Sequence, residues 1–293
     1  MSAPKEQEAP NKNMKISIIT PVYNAVSSIE KTILSVIQQE IKSELEYIII
    51  DGGSNDGTLE IIQRYADNIN ISICEKDNGI YDAMNKGISC ASGDIIGIIN
   101  ADDWYNDKAL QNIENIFLQE PKIDIIYSPL HNYYNGEYLN TFIPGVLNNL
   151  IFKFTLNHPS CFVRKSVYEK IGLFDLSYSI AADYDFIFRA YIHGFGFHYV
   201  ETPLASYSLN GFTGEPWNKF KEISESWRVG SGFAKQTAKD LIIKRQRFYL
   251  VWIAKELLTF LPKQFIKPPI ARRIKDKFRK AIAGLPSDQF GVW

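Results

Sequence analysis

The first half of the chain alternates short apolar runs rich in β-branched residues with longer segments whose apolar residues recur at helical spacing. The apolar runs predict strands at residues 15–20, 47–50, 69–74, 95–99 and 123–127. The segments between them predict helices at residues 27–39, 58–65, 80–90 and 108–119. Repeated strand–helix–strand units predict an α/β fold with a mostly parallel sheet and helices on both faces.

The pattern becomes less regular after Tyr127. Residues 131–142 contain Asn135-Gly136, a pair typical of a tight hairpin turn. Two further strands are predicted at residues 161–163 and 197–200, and two helices at residues 165–171 and 183–193. From about Trp217 the sequence is helical and then basic, which predicts a C-terminal helical extension.

The formal net charge of −1 conceals an uneven distribution. Residues 244–280 contain twelve basic and two acidic side chains, so the remainder of the chain is strongly acidic. A basic tail on an acidic body suggests an anionic surface, such as a membrane, as the partner of the tail. The apolar run 248–254 is too short to span a bilayer, and apolar side chains from Phe248 to Leu261 also fit a helix packed on the body. Both alternatives stay open.

The sequence divides into a leader at residues 1–13, a main domain at residues 14–215 and a helical basic tail at residues 216–293. The leader is polar and contains no apolar core, which is typical of disorder and of neither a signal peptide nor a membrane anchor. The three cysteines are scattered and form no C-x-x-C pair, which disfavours a disulfide framework or a zinc site and fits a reducing compartment.

Adjacent carboxylates follow the fourth predicted strand, in the run Asn100-Ala101-Asp102-Asp103. Parallel sheets bind ligands in the crevice beyond the carboxyl ends of their strands. Carboxylate oxygens at that position suit Mg²⁺ or Mn²⁺, and such an ion neutralises a nucleotide diphosphate. Taken alone, the same residues are also typical of an ordinary turn.

A second strand ends at Asp51 and leads into the glycine-rich loop of residues 51–58. The glycines permit close approach of a ligand to the backbone, although a tight turn would use them equally well. The chain contains no G-x-G-x-x-G and no G-x-x-x-x-G-K-[ST] pattern. Their absence argues against a dinucleotide oxidoreductase and a P-loop nucleotidase.

With these motifs the chain resembles the family 2 glycosyltransferases, which are inverting enzymes of the Rossmann-like GT-A fold. The matching segments occur in the family's order and extend the similarity over about residues 14–207. They are residues 18–24, 50–58, 77–87, 93–96 running into 100–103, and 182–185. The resemblance assigns the nucleotide-binding half to about residues 14–128 and the acceptor half to about residues 129–215.

The resemblance implies a set of donor-binding residues. Pro21 and Tyr23 would line the nucleotide base and ribose, and Asp51 would hydrogen-bond the base. Asn85 and Lys86 would face the donor side of the cleft, although Lys86 fits a solvated helix face equally well.

The family's metal motif, D-x-D, corresponds to Asn100 at its first position and Asp102 at its third. Asp102 is therefore the expected ligand of Mn²⁺ or Mg²⁺, with Asp103 as a possible second ligand. Asn100 departs from the more frequent Asp, and one fewer negative charge weakens a site for a divalent ion.

Asp183 matches the catalytic base of the family, which would take a proton from the attacking hydroxyl of the acceptor. Ala182 stands where the family usually has Glu. Without the family match, Asp183 would be interpreted as an ordinary helix N-cap. Asp185, two residues further along, is expected to be structural.

Two other features of the sequence have two interpretations each. His158 lies in a segment that the resemblance places near the acceptor side, but a lone histidine is more often structural. The loop at residues 208–214 has two glycines around an aromatic residue, which fits either a flap over the donor or a surface turn.

The implied function is transfer of a sugar from a nucleotide-sugar to a hydroxyl of a saccharide or lipid-linked saccharide, with inversion at the anomeric carbon. The implied setting is bacterial surface-polysaccharide or lipid-linked oligosaccharide synthesis, in the cytoplasm or peripherally on the inner face of the cytoplasmic membrane. A sugar nucleotidyltransferase and a catalytically weak nucleotide-sugar-binding module are the alternatives. A nucleic-acid partner is disfavoured by the acidic body and by the few aromatic residues among the tail's basic side chains.

Overall fold

The computed structural model describes residues 14–209, 216–237 and 239–260. The strands are β1 (Lys15–Val22), β2 (Glu44–Asp51), β3 (Ile71–Cys74), β4 (Ile95–Ile98), β5 (Trp104–Tyr105), β6 (Ile125–Tyr127), β7 (Leu130–Tyr134), β8 (Glu137–Phe142), β9 (Phe162–Arg164), β10 (Phe197–Tyr199) and β11 (Ala205–Ser208). The α-helices are α1 (Ile29–Ile37), α2 (Thr58–Arg64), α3 (Ile80–Cys90), α4 (Ala109–Gln119), α5 (Lys165–Ile171), α6 (Ala182–Ile192), α7 (Pro216–Arg228), α8 (Ser231–Thr237) and α9 (Lys239–Phe260).

The main sheet has seven strands in the order β10-β6-β9-β4-β1-β2-β3. Its strand pairs are parallel except where β9 lies antiparallel to β4 and β6. The predicted α/β architecture with a mostly parallel sheet is confirmed. Strand β3 begins two residues later than predicted because a 3₁₀ turn, Ala66–Asn68, precedes it.

Two hydrophobic clusters cover the two faces of the main sheet. Strand β2 shows why a continuous apolar run is needed there. Its side chains alternate between the faces, so Ile48 and Ile50 enter one cluster while Tyr47 and Ile49 enter the other. A strand covered by helices on both faces therefore has no polar face to display.

Strand β2 is held at its start by a buried carboxylate. Glu46 is 5% exposed and accepts hydrogen bonds from the hydroxyl of Ser17 at 2.5 Å and from the backbone N–H of Ser92 at 2.8 Å. Burial opposes its ionisation, yet the hydrogen bonds from Ser17 and Ser92 lower the pKa of Glu46 to about 2. The carboxylate thereby joins β1, β2 and the loop before β4.

A second sheet has the order β5-β11-β7-β8. Its β7–β8 hairpin turns at Asn135-Gly136, as predicted, with both residues at positive φ (50° and 80°). This is the backbone shape that a two-residue type I′ turn requires. Strands β5 and β11 were not predicted, because β5 has two residues and β11 acquires its partners from distant parts of the chain.

The described part of the C-terminal extension is helical and packs on the main domain. The hydroxyl of Tyr249 donates to the carbonyl of Phe152 at 2.6 Å, and the Phe248 and Phe152 rings lie 5.6 Å apart. Arg245 is 1% exposed and donates to the carbonyls of Trp227 and Val229. It is thus unavailable to a membrane surface. Within the described residues, no helix is long and apolar enough to cross a bilayer.

The leader at residues 1–13 and the last part of the tail, residues 261–293, lie outside the described residues. The basic run from Arg272 to Lys280 belongs to the second of these segments. The membrane hypothesis for that run therefore stays a prediction.

Candidate active site

The candidate site lies at the carboxyl edge of the main sheet, where the strand order reverses. From β1 the chain proceeds to the adjacent β2 and then to β3 beyond it, and it returns to β4 on the opposite side of β1. Parallel sheets bind ligands at such a switch point. The loops that follow β1, β2 and β4 meet there, because Val22 is paired with Asp51 and Ile19 with Ile98.

Asp51 organises the loop after β2. Its carboxylate is 1% exposed and accepts hydrogen bonds from Gly53 N at 2.9 Å, Ser54 N at 2.8 Å and Ser54 Oγ at 2.5 Å. A Cβ atom at Gly52 would lie 2.5 Å from Oδ2 of Asp77, so a larger residue there would displace the Asp77 side chain in the loop that follows β3. The structure thus gives Asp51 a loop-shaping role, and its contact with a base stays a prediction.

Tyr23 extends into solvent from a turn that is fixed on both sides. Its side chain is 63% exposed, while Pro21 is buried within β1. The next residue, Asn24, has a φ of 48°; its N–H donates to Ser54 Oγ at 2.8 Å and its Oδ1 accepts from Asn55 N at 3.0 Å. The turn therefore offers an aromatic face beside the switch point.

The segment after β4, residues 100–103, contains side-chain oxygen atoms that accept hydrogen bonds and one buried oxygen atom that accepts none within the described residues. Asp103 is 0% exposed and accepts from the N–H of Ser208 at 2.9 Å and from Nδ2 of Asn100 at 3.2 Å. Oδ1 of Asn100 is buried and has no hydrogen-bond partner within the described residues. The Asp102 carboxylate is half-buried, and burial raises its pKa.

These oxygens fit a divalent cation. A buried carbonyl oxygen without a donor and a carboxylate destabilised by burial both gain from a nearby positive charge. The Asp103 carboxylate is already engaged, so it supports the loop more directly than it offers a ligand. Within the described part of the chain no group of three or more His, Cys, Asp or Glu side chains surrounds one point. The protein's ligands would therefore be few, as is usual where Mg²⁺ also binds substrate phosphates.

Asn85 and Lys86 have structural partners. The side-chain amide of Asn85 donates to the backbone carbonyl of Phe174 at 2.9 Å and accepts from the backbone N–H of Phe174 at 3.0 Å. These two hydrogen bonds join α3 to the segment after α5. Nζ of Lys86 lies 2.8 Å from a carboxylate oxygen of Glu75 and 3.7 Å from one of Asp82. Their donor-binding role stays a prediction.

Asp183 lies in the first turn of α6. Its Oδ1 accepts from the N–H of Tyr184 at 2.8 Å and lies 3.0 Å from the hydroxyl of Tyr81 on α3. Burial raises the pKa of Asp183 to about 6, although the Tyr184 N–H and the Tyr81 hydroxyl act in the opposite direction. A carboxylate with this pKa is ionised at pH 7–8 and still accepts a proton readily.

Two other residues that the sequence singled out have structural surroundings. His158 is 7% exposed, its ring packs edge-on against Phe174, and burial lowers its pKa to about 4. A neutral, buried imidazole fits the structural interpretation of His158. Asp185 forms an ion pair with Arg189 at 2.8 Å. Of the loop at residues 208–214, residues 210–214 lie outside the described part.

Sequence reasoning missed two residues that contact the Asp183 region. Tyr81 lies inside the motif at residues 77–87, but nothing in that motif distinguishes it from a core tyrosine. Glu225 on α7 accepts hydrogen bonds from the loop that precedes α6. It is distant in sequence from every motif, so only the fold reveals it.

The sequence model of Glycosyl transferase family 2 matches residues 17–172, just over half of the chain. The protein belongs to this family.

A relative and a solved structure agree with this assignment. An uncharacterized glycosyltransferase of Mycobacterium tuberculosis is 31% identical over 178 residues, which cover 60% of this chain and 68% of the relative. The solved structure of the mannosyltransferase PcManGT from Pyrobaculum calidifontis, in complex with GDP-Man and Mn²⁺, superposes with a TM-score of 0.63. That alignment covers 93% of this chain and 82% of PcManGT at 16% identity, so it supports the GT-A fold alone.

A third match extends into the C-terminal helices of the family 2 enzyme. The glycosyltransferase AglE of Haloferax volcanii is 29% identical over 260 residues, covering 85% of this chain and 82% of AglE. A stretch of that length exceeds the segment that the family model matches. Sequence similarity to at least one relative therefore continues beyond residue 172.

Proposed function

We propose that the protein transfers a sugar from a nucleoside-diphosphate sugar to a hydroxyl group, with inversion at the anomeric carbon. The observation that carries the proposal is Asp183, a half-buried carboxylate at the start of a helix, beside the Tyr81 hydroxyl and with a pKa of about 6. A single displacement needs one base to take the proton of the attacking hydroxyl, and Asp183 suits that role.

The reaction balances with the groups present. The acceptor oxygen bonds to the anomeric carbon while the bond from that carbon to the diphosphate oxygen breaks. The proton of the hydroxyl passes to Asp183, and the nucleoside diphosphate leaves with the bonding electron pair. Inversion follows because base and leaving group lie on opposite sides of the sugar.

The donor would be held at the switch point. Tyr23 offers a face on which a base stacks, and the loop of Asp51 brings backbone close to the nucleotide. Asp102, together with Oδ1 of Asn100, would hold Mn²⁺ or Mg²⁺. When bound, such an ion neutralises negative charge that develops on the leaving diphosphate.

The proposed acceptor is a saccharide or a lipid-linked saccharide, with synthesis at the cytoplasmic face of the membrane. Family membership supports sugar transfer over the sugar nucleotidyltransferase alternative. A binding module with little activity is the remaining alternative, because Ala182 and Asn100 depart from the family pattern.

Nucleotide release tests the proposal. The wild type is incubated with a panel of nucleotide-sugars and candidate acceptors, beside Asp183→Asn and a matched control, Asp67→Asn, at an exposed site. We expect acceptor-dependent release from the wild type and the control, and at least about 100-fold less from Asp183→Asn. Donor binding without release in the wild type would instead identify a binding module. The anomeric configuration of the product, read by NMR, decides inversion.

A further inference from the structure

Helix α7 contacts the short segment that leads into α6 and Asp183. Glu225 on α7 is 6% exposed and accepts from three successive backbone N–H groups. Oε2 lies 3.0 Å from Ser179 N, 2.8 Å from Ile180 N and 3.0 Å from Ala181 N. Oε1 accepts from the Ser179 hydroxyl at 2.8 Å.

This carboxylate binds the backbone immediately before α6, up to and including the N-cap residue Ala181. Ala181 is the N-cap residue of α6 and has no side chain that accepts a hydrogen bond. Ala182, where the resemblance expects Glu, is fully buried and also lacks one. The Ala181 N–H at the start of α6 needs an acceptor, and an anion is favoured there by the helix dipole. Glu225 supplies that anion from another helix.

A second residue of α7, Arg228, forms hydrogen bonds with the same segment. Arg228 donates from Nη1 to the carbonyl of Ser177 at 3.2 Å and from Nη2 to its hydroxyl at 2.9 Å. The guanidinium lies 4.3 Å from the ring centroid of Tyr178. Contacts from α7 thus hold the chain at residues 177–181, directly before the first turn of α6.

We infer that Glu225 is a positioning residue for the catalytic base, and that α7 is part of the catalytic apparatus. The inference rests on the proposed function in assigning Asp183 as the base. Without Glu225, three N–H groups lose their acceptor, and the segment directly before α6 keeps its contact with Arg228 but loses the carboxylate that fixes residues 179–181 to α7. Asp183 then leaves the geometry in which it faces the acceptor, and water reaches it.

The charged and titratable groups around Asp183 come from three other parts of the fold. The hydroxyl of Tyr81 on α3 contacts it, and the thiol of buried Cys161, just before β9, lies close enough to interact. Glu222 on α7 raises the pKa of Asp183, although burial is the larger cause. Burial also opposes ionisation of Glu225, yet the N–H groups of Ile180, Ser179 and Ala181 and the Ser179 hydroxyl hold its pKa below the usual range. Glu225 is therefore ionised at neutral pH.

Three substitutions separate geometry from charge. Glu225→Gln keeps the length and one carbonyl oxygen for the three N–H groups but removes the charge. Glu225→Asp keeps the charge but is too short to reach all three. Glu225→Ala removes both, and Glu169→Ala, at an exposed site on α5, is the control.

Kinetics and pH profiles of these variants test the inference. We expect Glu225→Ala and Glu225→Asp to lower kcat roughly 10- to 100-fold, because small misplacement of a base is costly, while the donor KM changes less than about twofold. Glu225→Gln should recover most of kcat. The acid limb of the pH–rate profile should move to lower pH in Glu225→Ala and Glu225→Asp, because hydration favours the ionised carboxylate. Unchanged kcat and pH profile in Glu225→Asp, with only a lower melting temperature in Glu225→Ala, would overturn the inference.

A titration that needs no turnover distinguishes this inference from the proposed function. The ¹³C signal of the Asp183 carboxyl, assigned by its absence in Asp183→Asn, reports its pKa in each variant. We expect that pKa to fall in Glu225→Asp and to stay near the wild-type value in Glu225→Gln. If no donor supports transfer by the wild type but the titration shifts as described, the proposed function fails and the positioning role stands. If transfer occurs and the titration is the same in all variants, only the positioning role fails.

Discussion

Replacing Asp183 by Asn should abolish transfer and, at the same time, stabilise the fold. Burial raises the pKa of Asp183 from 3.8 to about 6, so the folded protein binds this proton more tightly than the unfolded chain does. The contribution of Asp183 to the free energy of unfolding is therefore most favourable below pH 4 and declines as the pH rises towards 6, where the half-buried carboxyl loses its proton. Above pH 6 the ionised carboxylate lowers the free energy of unfolding by a constant amount.

The size of this cost follows from the two pKa values. The interval between 3.8 and about 6 corresponds to about 3 kcal/mol, and the partial exposure of Asp183 makes roughly 1–3 kcal/mol a realistic range. Asn accepts the same hydrogen bonds from Tyr184 N–H and the Tyr81 hydroxyl without carrying a charge. In a domain of this size the gain corresponds to a rise of several degrees in melting temperature.

The assay is urea or thermal unfolding at pH values from 4 to 8, for the wild type, Asp183→Asn and the exposed control Asp67→Asn. The stability difference between Asp183→Asn and the wild type should be small at pH 4 and grow until about pH 7, while the control shows no such trend. A variant that is less stable than the wild type at pH 8, or a difference that does not depend on pH, would refute the reasoning.

Three further predictions concern the donor, the metal and the tail. Tyr23→Ala should raise the donor KM by roughly fivefold to 100-fold with little change in kcat, since a stacked base contributes about 1–3 kcal/mol; an unchanged KM places the base elsewhere. Chelation should reduce transfer, Mn²⁺ or Mg²⁺ should restore it, and Asp102→Ala should lower it at least about 100-fold; full activity of that variant in chelator excludes the metal role. Anionic vesicles should sediment the full chain in low salt more than a chain ending before Lys263, and equal binding of both removes the basic tail as an anchor.

The parts of the fold that sequence reasoning recovered are those where local chemistry and tertiary context agree. The isoleucine-rich run of β2 is a strand both by propensity and because helices cover both its faces. Asn135-Gly136 specifies its turn through the positive φ angles that these two residues accept. Such features are encoded within a few neighbouring positions, so one sequence suffices to find them.

The missed features depend on distant partners. Strand β11 exists because Ala205 pairs with Leu130 and Tyr105, about 75 and 100 positions away along the chain. Asp183 was predicted as the base from its motif, and this role stays a prediction; its raised pKa comes from burial, which the motif does not report. Glu225 was missed because α7 has the composition of an ordinary amphipathic helix. No spacing rule connects a glutamate on one helix to the first turn of another.

The buried Glu46 has a bearing on how β2 keeps its alignment. A strand whose residues are apolar on both faces could slide by one position and still bury isoleucine against each layer. Hydrophobicity therefore does not specify the register in which residues 47–50 pair with the neighbouring strands. A slide would, however, separate the Glu46 carboxylate from Ser17 and Ser92, and leave a charged group inside the protein without these hydrogen bonds. Because Asp51 lies five residues further along the same strand, the Glu46 carboxylate near one end of β2 fixes the position at which the glycine-rich loop of residues 51–58 begins at the other end. Redesign of the isoleucines should therefore be tolerated more readily than any change at Glu46.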